Sequence, residues 1–236
     1  MTPERRRNAI IGLWIAAVLV GAPASAQIVQ SVSVGMGLFF PRGFDSRNSA
    51  DTLVADLIAD VPLEFDIGQF KSGQFFGEWN IQFGNHLEVG AGVGYYRSQV
   101  LGAYRNRVSV AQVLHLQIVP VTGIARFFPF GTPSTVQPYV GAGISALQWR
   151  YSESGRFVDT RDNSEFNGSF AATGSTIGRV FLGGLRVPVG SSMEALTVEW
   201  RYQFGVGKTG GLPAGFLGDK IDLSGGTVNF GFLGRF

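Results

Sequence analysis

Cysteine is missing from this chain, so neither disulfide staples nor thiolate chemistry is open to it. Histidine occurs twice, as His86 and His115, and none follows residue 115. Beyond residue 26 no apolar run is long enough for a membrane-spanning helix. An excess of one charge sign is lacking too. The chain carries 19 Lys+Arg and 17 Asp+Glu, of which residues 1–26 hold three Arg and one Glu. The remainder has 16 of each and no formal net charge, which points to no nucleic-acid partner. A phosphate-binding glycine loop is absent as well. Gly90-Gly92-Gly94 and Gly141-Gly143 sit inside alternating segments with no helix after them.

What is present begins with an export signal. Arg5, Arg6 and Arg7 precede an apolar stretch, Ala9 to Ala22, and then Pro23 and Ala24-Ser25-Ala26. Basic region, short apolar region and small-residue site, in that order, make a secretory signal peptide. Residues 1–26 are expected to be removed after Ala26, leaving Gln27 first and residues 27–236 as one domain.

The last stretch, Leu223 to Phe236, shows what that domain is made of. Val228, Phe230, Phe232, Gly234 and Phe236 form one set, and Thr227, Asn229, Gly231, Leu233 and Arg235 the other. Successive strand side chains point to opposite faces, so this is a strand with one aromatic face and one small or polar face. A wall between lipid and a polar interior suits both faces. The edge of a soluble sandwich is the alternative for this segment alone, but the same alternation recurs along the chain.

Eight such segments can be traced. The first is Gln30 to Phe40, with Val32, Val34, Met36, Leu38 and Phe40 on one face. The second, Gly73 to Gly84, sets Phe75, Trp79, Ile81 and Phe83 against Phe76, Glu78, Asn80 and Gln82. Asn85-His86 turns into the third, Leu87 to Val100. The fourth spans about Ala111 to Phe128. There Leu114, Leu116 and Ile118 read as outward and His115 as inward, with Pro120 predicting a bulge or register change. Below it, Val121, Ala125 and Phe127 read as outer and Thr122 and Arg126 as inner. The fifth, Pro138 to Tyr151, is ambiguous in its facing. A polar segment, Ser152 to Ser175, precedes the sixth, Thr176 to Val189. The seventh is Ala195 to Val206, with Leu196, Val198, Trp200, Tyr202 and Phe204 outward, and Leu223 to Phe236 is the eighth.

The connections alternate in length, and the even ones are short. In an up-and-down barrel these lie on one rim, as periplasmic turns do in outer-membrane barrels. The fold expected is all-β: an eight-stranded antiparallel up-and-down transmembrane β-barrel. Within the first connection, Ser49 to Val61 places Leu53, Val54, Leu57, Ile58 and Val61 at helical spacing, with Asp51, Asp56 and Asp60 opposite. A short amphipathic helix and a partly ordered loop both fit.

Two resemblances follow. A strand ending in Phe236, with Val228, Phe230 and Phe232 at alternate positions before it, resembles the C-terminal signal of bacterial outer-membrane β-barrel proteins. That resemblance implies recognition by the barrel-assembly machinery. Gly234 departs from the pattern, where a larger apolar residue is usual. The phrases Ala125-Arg126-Phe127-Phe128-Pro129 and Pro138-Tyr139-Val140-Gly141-Ala142-Gly143 resemble the small eight-stranded outer-membrane barrel domain of the opacity-like and OmpA/OmpX-like kind. The implied setting is the outer membrane of a diderm bacterium, reached unfolded by the general secretory route, with outer-membrane lipid as the surrounding partner.

Candidate chemistry is sparse. Glu78, Glu88, His115, Arg186, Glu199, Arg201 and Arg235 are the expected inward polar set. They read as an ion-pair network filling the lumen or, alternatively, as the lining of a narrow pore. Outer-membrane lipid A deacylases are similar in size but use a His and Ser near the C-terminus, where this chain has no histidine. A phospholipase would need Ser, His and an orienting polar residue together on the outer wall. Asp51, Asp56, Asp60, Glu64 and Asp66 in the first loop have the chemistry for calcium, but their spacing matches no calcium loop. They read as a solvated acidic surface, and no cofactor is implied. Two functions remain. One is a non-catalytic structural or surface-interaction barrel with an unidentified external ligand. The other is a narrow channel or transporter for small, in one version apolar, solutes.

Overall fold

The computed structural model describes residues 28–236 except 106, 160, 161, 163, 191 and 192. The expected signal peptide, with Ala24, Ala26 and Gln27, lies outside the described residues. Eight long strands are present among the described residues: β1 (Ile28–Pro41), β2 (Ser72–Phe83), β3 (Leu87–Tyr104), β4 (Arg107–Phe127), β5 (Gln137–Val158), β6 (Glu165–Pro188), β7 (Glu194–Phe204) and β8 (Gly225–Arg235). Each pairs antiparallel with the next. The ring closes by pairing β1 with β8, from Ser31 opposite Arg235 to Pro41 opposite Gly225.

The strands form because their two faces suit two environments. In the lower part of the ring, Phe75, Trp79, Val89, Tyr95, Val140, Ile144, Phe181, Trp200, Phe230 and Phe232 are exposed on the outside. Glu78, Asn80, Glu88, Arg126, Arg186 and Glu199 are buried on the inside. The outward apolar belt ends near Phe40, Phe75, Tyr95, Val119, Ala146 and Phe204. Above it, Arg97, Gln99, Gln148, Arg150, Thr173 and Ser175 are exposed outward, together with the apolar Leu101.

Pro120 brings no register change. It sits opposite Leu147 in an unbroken ladder with β5, and the pairing with β3 keeps one register on both sides of it. The inner face of β4 is therefore one parity throughout. Leu114, Leu116 and Ile118 are buried within the ring, not outward. His115 is corrected accordingly. It leaves the expected inward set and lies on the outer face, beside Gln99 and Ser152.

The connections at one rim are short: 84–86, 128–136 and 189–193. At the other rim two expected connections are mostly strand. β3 and β4 run on to Tyr104 and from Arg107, and the expected polar segment 152–175 is largely a hairpin from Ser152 opposite Ala171 to Val158 opposite Glu165. The remaining two, residues 42–71 and 205–224, fold over the mouth. The first carries a helix, α1 (Thr52–Ile58), capped by Asp51, whose carboxylate accepts from Leu53 N at 3.1 Å. Leu53, Val54, Ile67 and Phe70 from this loop bury against Tyr96, Val100, Leu114 and Leu147 of the wall. Ile58, expected on the apolar face, is exposed, whereas Asp51 and Asp56 are buried. In the acidic loop Asp60, Glu64 and Asp66 are thus solvated as expected, and Asp51 and Asp56 are not. Its helix is packed between the wall and the 205–224 loop, so both faces are covered.

The facing of β7 can be tested by stability. Trp200 is 53% exposed on the outer wall. Trp200→Arg is expected to cost about 2–4 kcal/mol if hydrocarbon covers that side chain at mid-depth. Urea titration in lipid vesicles measures it, with Trp200→Leu as the mild reference.

Candidate functional site

Three arginines and three glutamates meet in the lower lumen, each projected from the inner face of a different strand or position on the ring. Arg126 of β4 is the hub. Its Nη1 lies 2.5 Å from Glu78 Oε1, 3.0 Å from Asn80 Oδ1 and 3.4 Å from Glu88 Oε1. Its Nη2 donates to Glu199 Oε2 at 3.0 Å. Arg186 of β6 grips Glu88 with both Nη atoms, at 2.9 and 2.8 Å, and its guanidinium lies 4.8 Å from the Phe128 ring centre. Arg201 of β7 donates to Glu199 Oε1 at 2.6 Å and to Glu78 Oε2 at 3.3 Å. Tyr139 completes the shell by donating to Glu199 Oε2 at 3.1 Å.

Small residues make this packing feasible. A Cβ on Gly90 would stand 2.2 Å from Asn80 Oδ1, and one on Gly184 would stand 2.5 Å from the Tyr139 hydroxyl oxygen. Both glycines leave inward space that the polar groups fill. The cavities left beside the cluster measure about 20 and 10 Å³. That is space for a single water at most. The six charges cancel, which removes most of the penalty for holding them out of water.

Of the residues expected inward, Glu78, Glu88, Arg186, Glu199 and Arg201 therefore come together. Arg235 is half-buried near Glu88 and Arg186. His115 is elsewhere. Arg126 reads as inward from its parity, yet nothing in the sequence singles it out as the hub. Tyr139 was not expected at all. The signal for both lay in the two phrases that carry the family resemblance, since Arg126 and Tyr139 belong to them. The outward turn of His115 puts it in register with Gln99 and Ser152. No hydrogen bond joins them among the described residues, and His115 Nδ1 is buried without a partner.

Above the charged cluster the interior is apolar, and a second polar site sits at its top. Asp51 anchors the first loop: Arg47 Nη1 donates to both its oxygens at 3.1 Å, and Asp222 N donates at 2.5 Å. The Thr52 hydroxyl lies 3.0 Å from both the Gly218 and the Lys220 carbonyl oxygens and gives its one proton to that pair. Asp56 and Glu153, by contrast, are 7% and 4% exposed and meet no cation among the described residues. Burial, then the neighbouring Glu153 carboxylate, pushes Asp56 well above the ordinary carboxylate range. Burial pushes Glu153 up to about 7. They share the wall of a cavity of about 240 Å³ with Tyr104, Gln112, Phe157, Phe166, Phe170, Leu212 and Leu217.

No family model matches the chain, and no curated protein matches it. Solved structures do. The chain is similar to the outer membrane protein OprG from Pseudomonas aeruginosa, at 13% identity over 89% of this chain and 97% of that one, with a TM-score of 0.54. AlkL, an outer membrane protein solved in lipid bilayers, matches at 15% identity over 92% and 94%, with a TM-score of 0.49. Neisserial surface protein A matches at 16% identity over 89% and 96%, with a TM-score of 0.44. The chain has the fold of the small eight-stranded outer-membrane β-barrels.

The shared guanidinium gives a prediction. Arg126→Met takes it from Glu78, Glu88 and Glu199 at once and is expected to cost about 3–5 kcal/mol. Adding Glu78→Gln removes the carboxylate that lies nearest Arg126 and should recover part of the loss in the same vesicle titration. Arg201→Met should cost less, because Glu199 keeps Arg126.

The pair at the top gives a pH dependence. An acid whose pKa is higher folded than unfolded supports the fold fully below the unfolded value, 4.5 for glutamate, and loses that support as pH rises through the folded one, about 7 for Glu153. The seating of α1 should therefore weaken between those limits. A fluorophore on Ile58→Cys, unique in a chain without cysteine, should report tighter packing at pH 5 than at pH 8. Glu153→Gln should remove most of the difference.

Proposed function

We propose that this protein is a closed, non-catalytic outer-membrane barrel whose role is structural or directed at the cell surface. The observation that carries this reading is the buried cluster of ion pairs around Arg126, with cavities of only about 20 and 10 Å³ beside it. In this reading the rim of short turns faces the periplasm. The rim bearing the extended hairpins and the 42–71 and 205–224 loops faces outward, where an external ligand would meet it. Val228, Phe230, Phe232 and Phe236 act as the assembly signal on β8, and residues 1–26 direct export by the general secretory route. Outer-membrane lipid covers the aromatic belt.

A second reading has one observation in its favour. The upper interior is apolar and carries the 240 Å³ cavity, which supports uptake of small apolar solutes that leave through the wall above the cluster. Such a route would not carry ions either.

Single-channel recording in planar bilayers tests the closed lumen. The refolded protein should be electrically silent. Steady conductance steps would overturn the closed reading, and steps appearing only in Arg126→Met would identify the cluster as the barrier.

A further inference from the structure

The cavity at the outward mouth has a construction that neither a lipid-facing wall nor a lumen plug requires. Its rim is apolar and open: Leu212 is 73% exposed, and Phe166 and Leu217 are exposed beside it. All three belong to the outer loops or the extended hairpin, above the apolar belt, so lipid does not account for them. Its floor is the reverse. Asp56 and Glu153 are both more than nine-tenths buried there, and among the described residues no nitrogen donor and no cation reaches Asp56 Oδ2 or Glu153 Oε1. Between rim and floor stand aromatic rings. Phe157 packs edge-on to Phe170 at 5.0 Å and stacks on Phe166 at 5.6 Å.

A fold does not ordinarily bury two carboxyls side by side with free oxygens. Here the chain supplies only part of an answer: Asp56 and Glu153 hydrogen-bond each other when a proton lies between them, and the Tyr151 hydroxyl reaches Glu153. The nearby Tyr104 hydroxyl oxygen accepts from Gln112 Nε2 at 2.7 Å and keeps its own proton to give. A divalent metal is a poor occupant. Among the described residues no group of three His, Cys, Asp or Glu side chains is gathered to hold one. An organic ammonium is a good one. Its charge would satisfy the carboxyls at the floor, its N–H groups would fill their open acceptor positions, and ring faces attract cations. An apolar body would lie along the phenylalanine wall toward the rim.

We propose that this cavity binds a small amphipathic amine, with its ammonium group on Asp56 and Glu153 and its apolar body against Phe157 and Phe170. The site goes beyond the closed-barrel reading and does not depend on it, since the charged cluster lies lower in the lumen and is untouched by the changes below. Binding moves no covalent bond. Where the carboxyl pair holds a proton, the ammonium displaces that proton to solvent.

Phenethylamine is a suitable probe, with 2-phenylethanol as the neutral donor of the same shape and propylbenzene as the body without a donor. Calorimetry on the refolded full-length mature chain in lipid nanodiscs should show one saturable site for phenethylamine. It should also show proton release that differs between two buffers of unlike ionisation enthalpy. Asp56→Asn with Glu153→Gln should weaken phenethylamine by about tenfold or more while leaving propylbenzene unchanged. A second variant, Phe170→Leu, should weaken both. Retained heat-modifiable migration on gels verifies that each variant is folded. The proposal is overturned if the double carboxyl variant binds the amine as well as wild type does, if 2-phenylethanol binds equally well, or if no probe binds. The conductance measurement is unaffected by any of these outcomes, so the two readings fail separately.

Discussion

The constraint on which everything else rests is the satisfaction of the backbone in hydrocarbon. A strand edge facing lipid leaves N–H and C=O groups that cost several kcal/mol each, so a sheet in a membrane must close. Here β1 and β8 meet that demand over nearly their full length. Closing eight strands fixes a narrow interior. Whatever the strands carry inward must then be packed without help from bulk water. In the lower ring that means charges that sum to zero, pressed together across inward glycines such as Gly90. The ion-pair cluster is a consequence of closure, and Arg126 is central because it reaches Glu78 and Glu199 at once.

The upper ring obeys the opposite rule. Outside the belt the outer wall meets polar surroundings, so the apolar face must turn inward, as in a soluble barrel. The parity of apolar residues therefore switches partway along a strand whose register does not change at that point. On β4, Val121, Ala125 and Phe127 face out below, and Leu114, Leu116 and Ile118 face in above. On β5, Val140 and Ile144 face out, and Leu147, Trp149 and Tyr151 face in. A sequence shows the switch of parity but not its cause. At Pro120 it reads as a bulge, which sends His115 to the wrong side. On β5 it reads as ambiguity, and in the Ser152–Ser175 stretch the polar outward face hides a hairpin.

Where the two faces keep one environment, the sequence is legible. β1, β2, the lower part of β3, β7 and β8 follow from alternation alone, with boundaries within a few residues of those observed. The inward placement of Glu78, Glu88, Arg186, Glu199 and Arg201 follows from the same parity. Pairing across the lumen does not. It depends on which strands lie opposite once the ring closes, and no local pattern records that. Hence Arg126 is readable as an inward residue but not as the shared partner of three carboxylates, and Tyr139 is not readable at all.

The first loop shows how little a residue type says by itself. Asp51 and Asp56 lie on one short helix and its cap, and both are buried. Asp51 is surrounded by donors: Arg47, the Leu53 amide and the Asp222 amide all point at it. Its charge is thereby used to tie the first outer loop to the last. Asp56, near the other end of the same helix, is turned toward another acid. If the loop were only a lid, an apolar side chain at position 56 would seat it better, since the rest of the contact with the wall is Leu53, Val54 and Phe70. An acid placed there against Glu153 works against the lid wherever both carboxyls are ionised; a proton shared between them relieves the pair, and so would a cationic group in the cavity beside it.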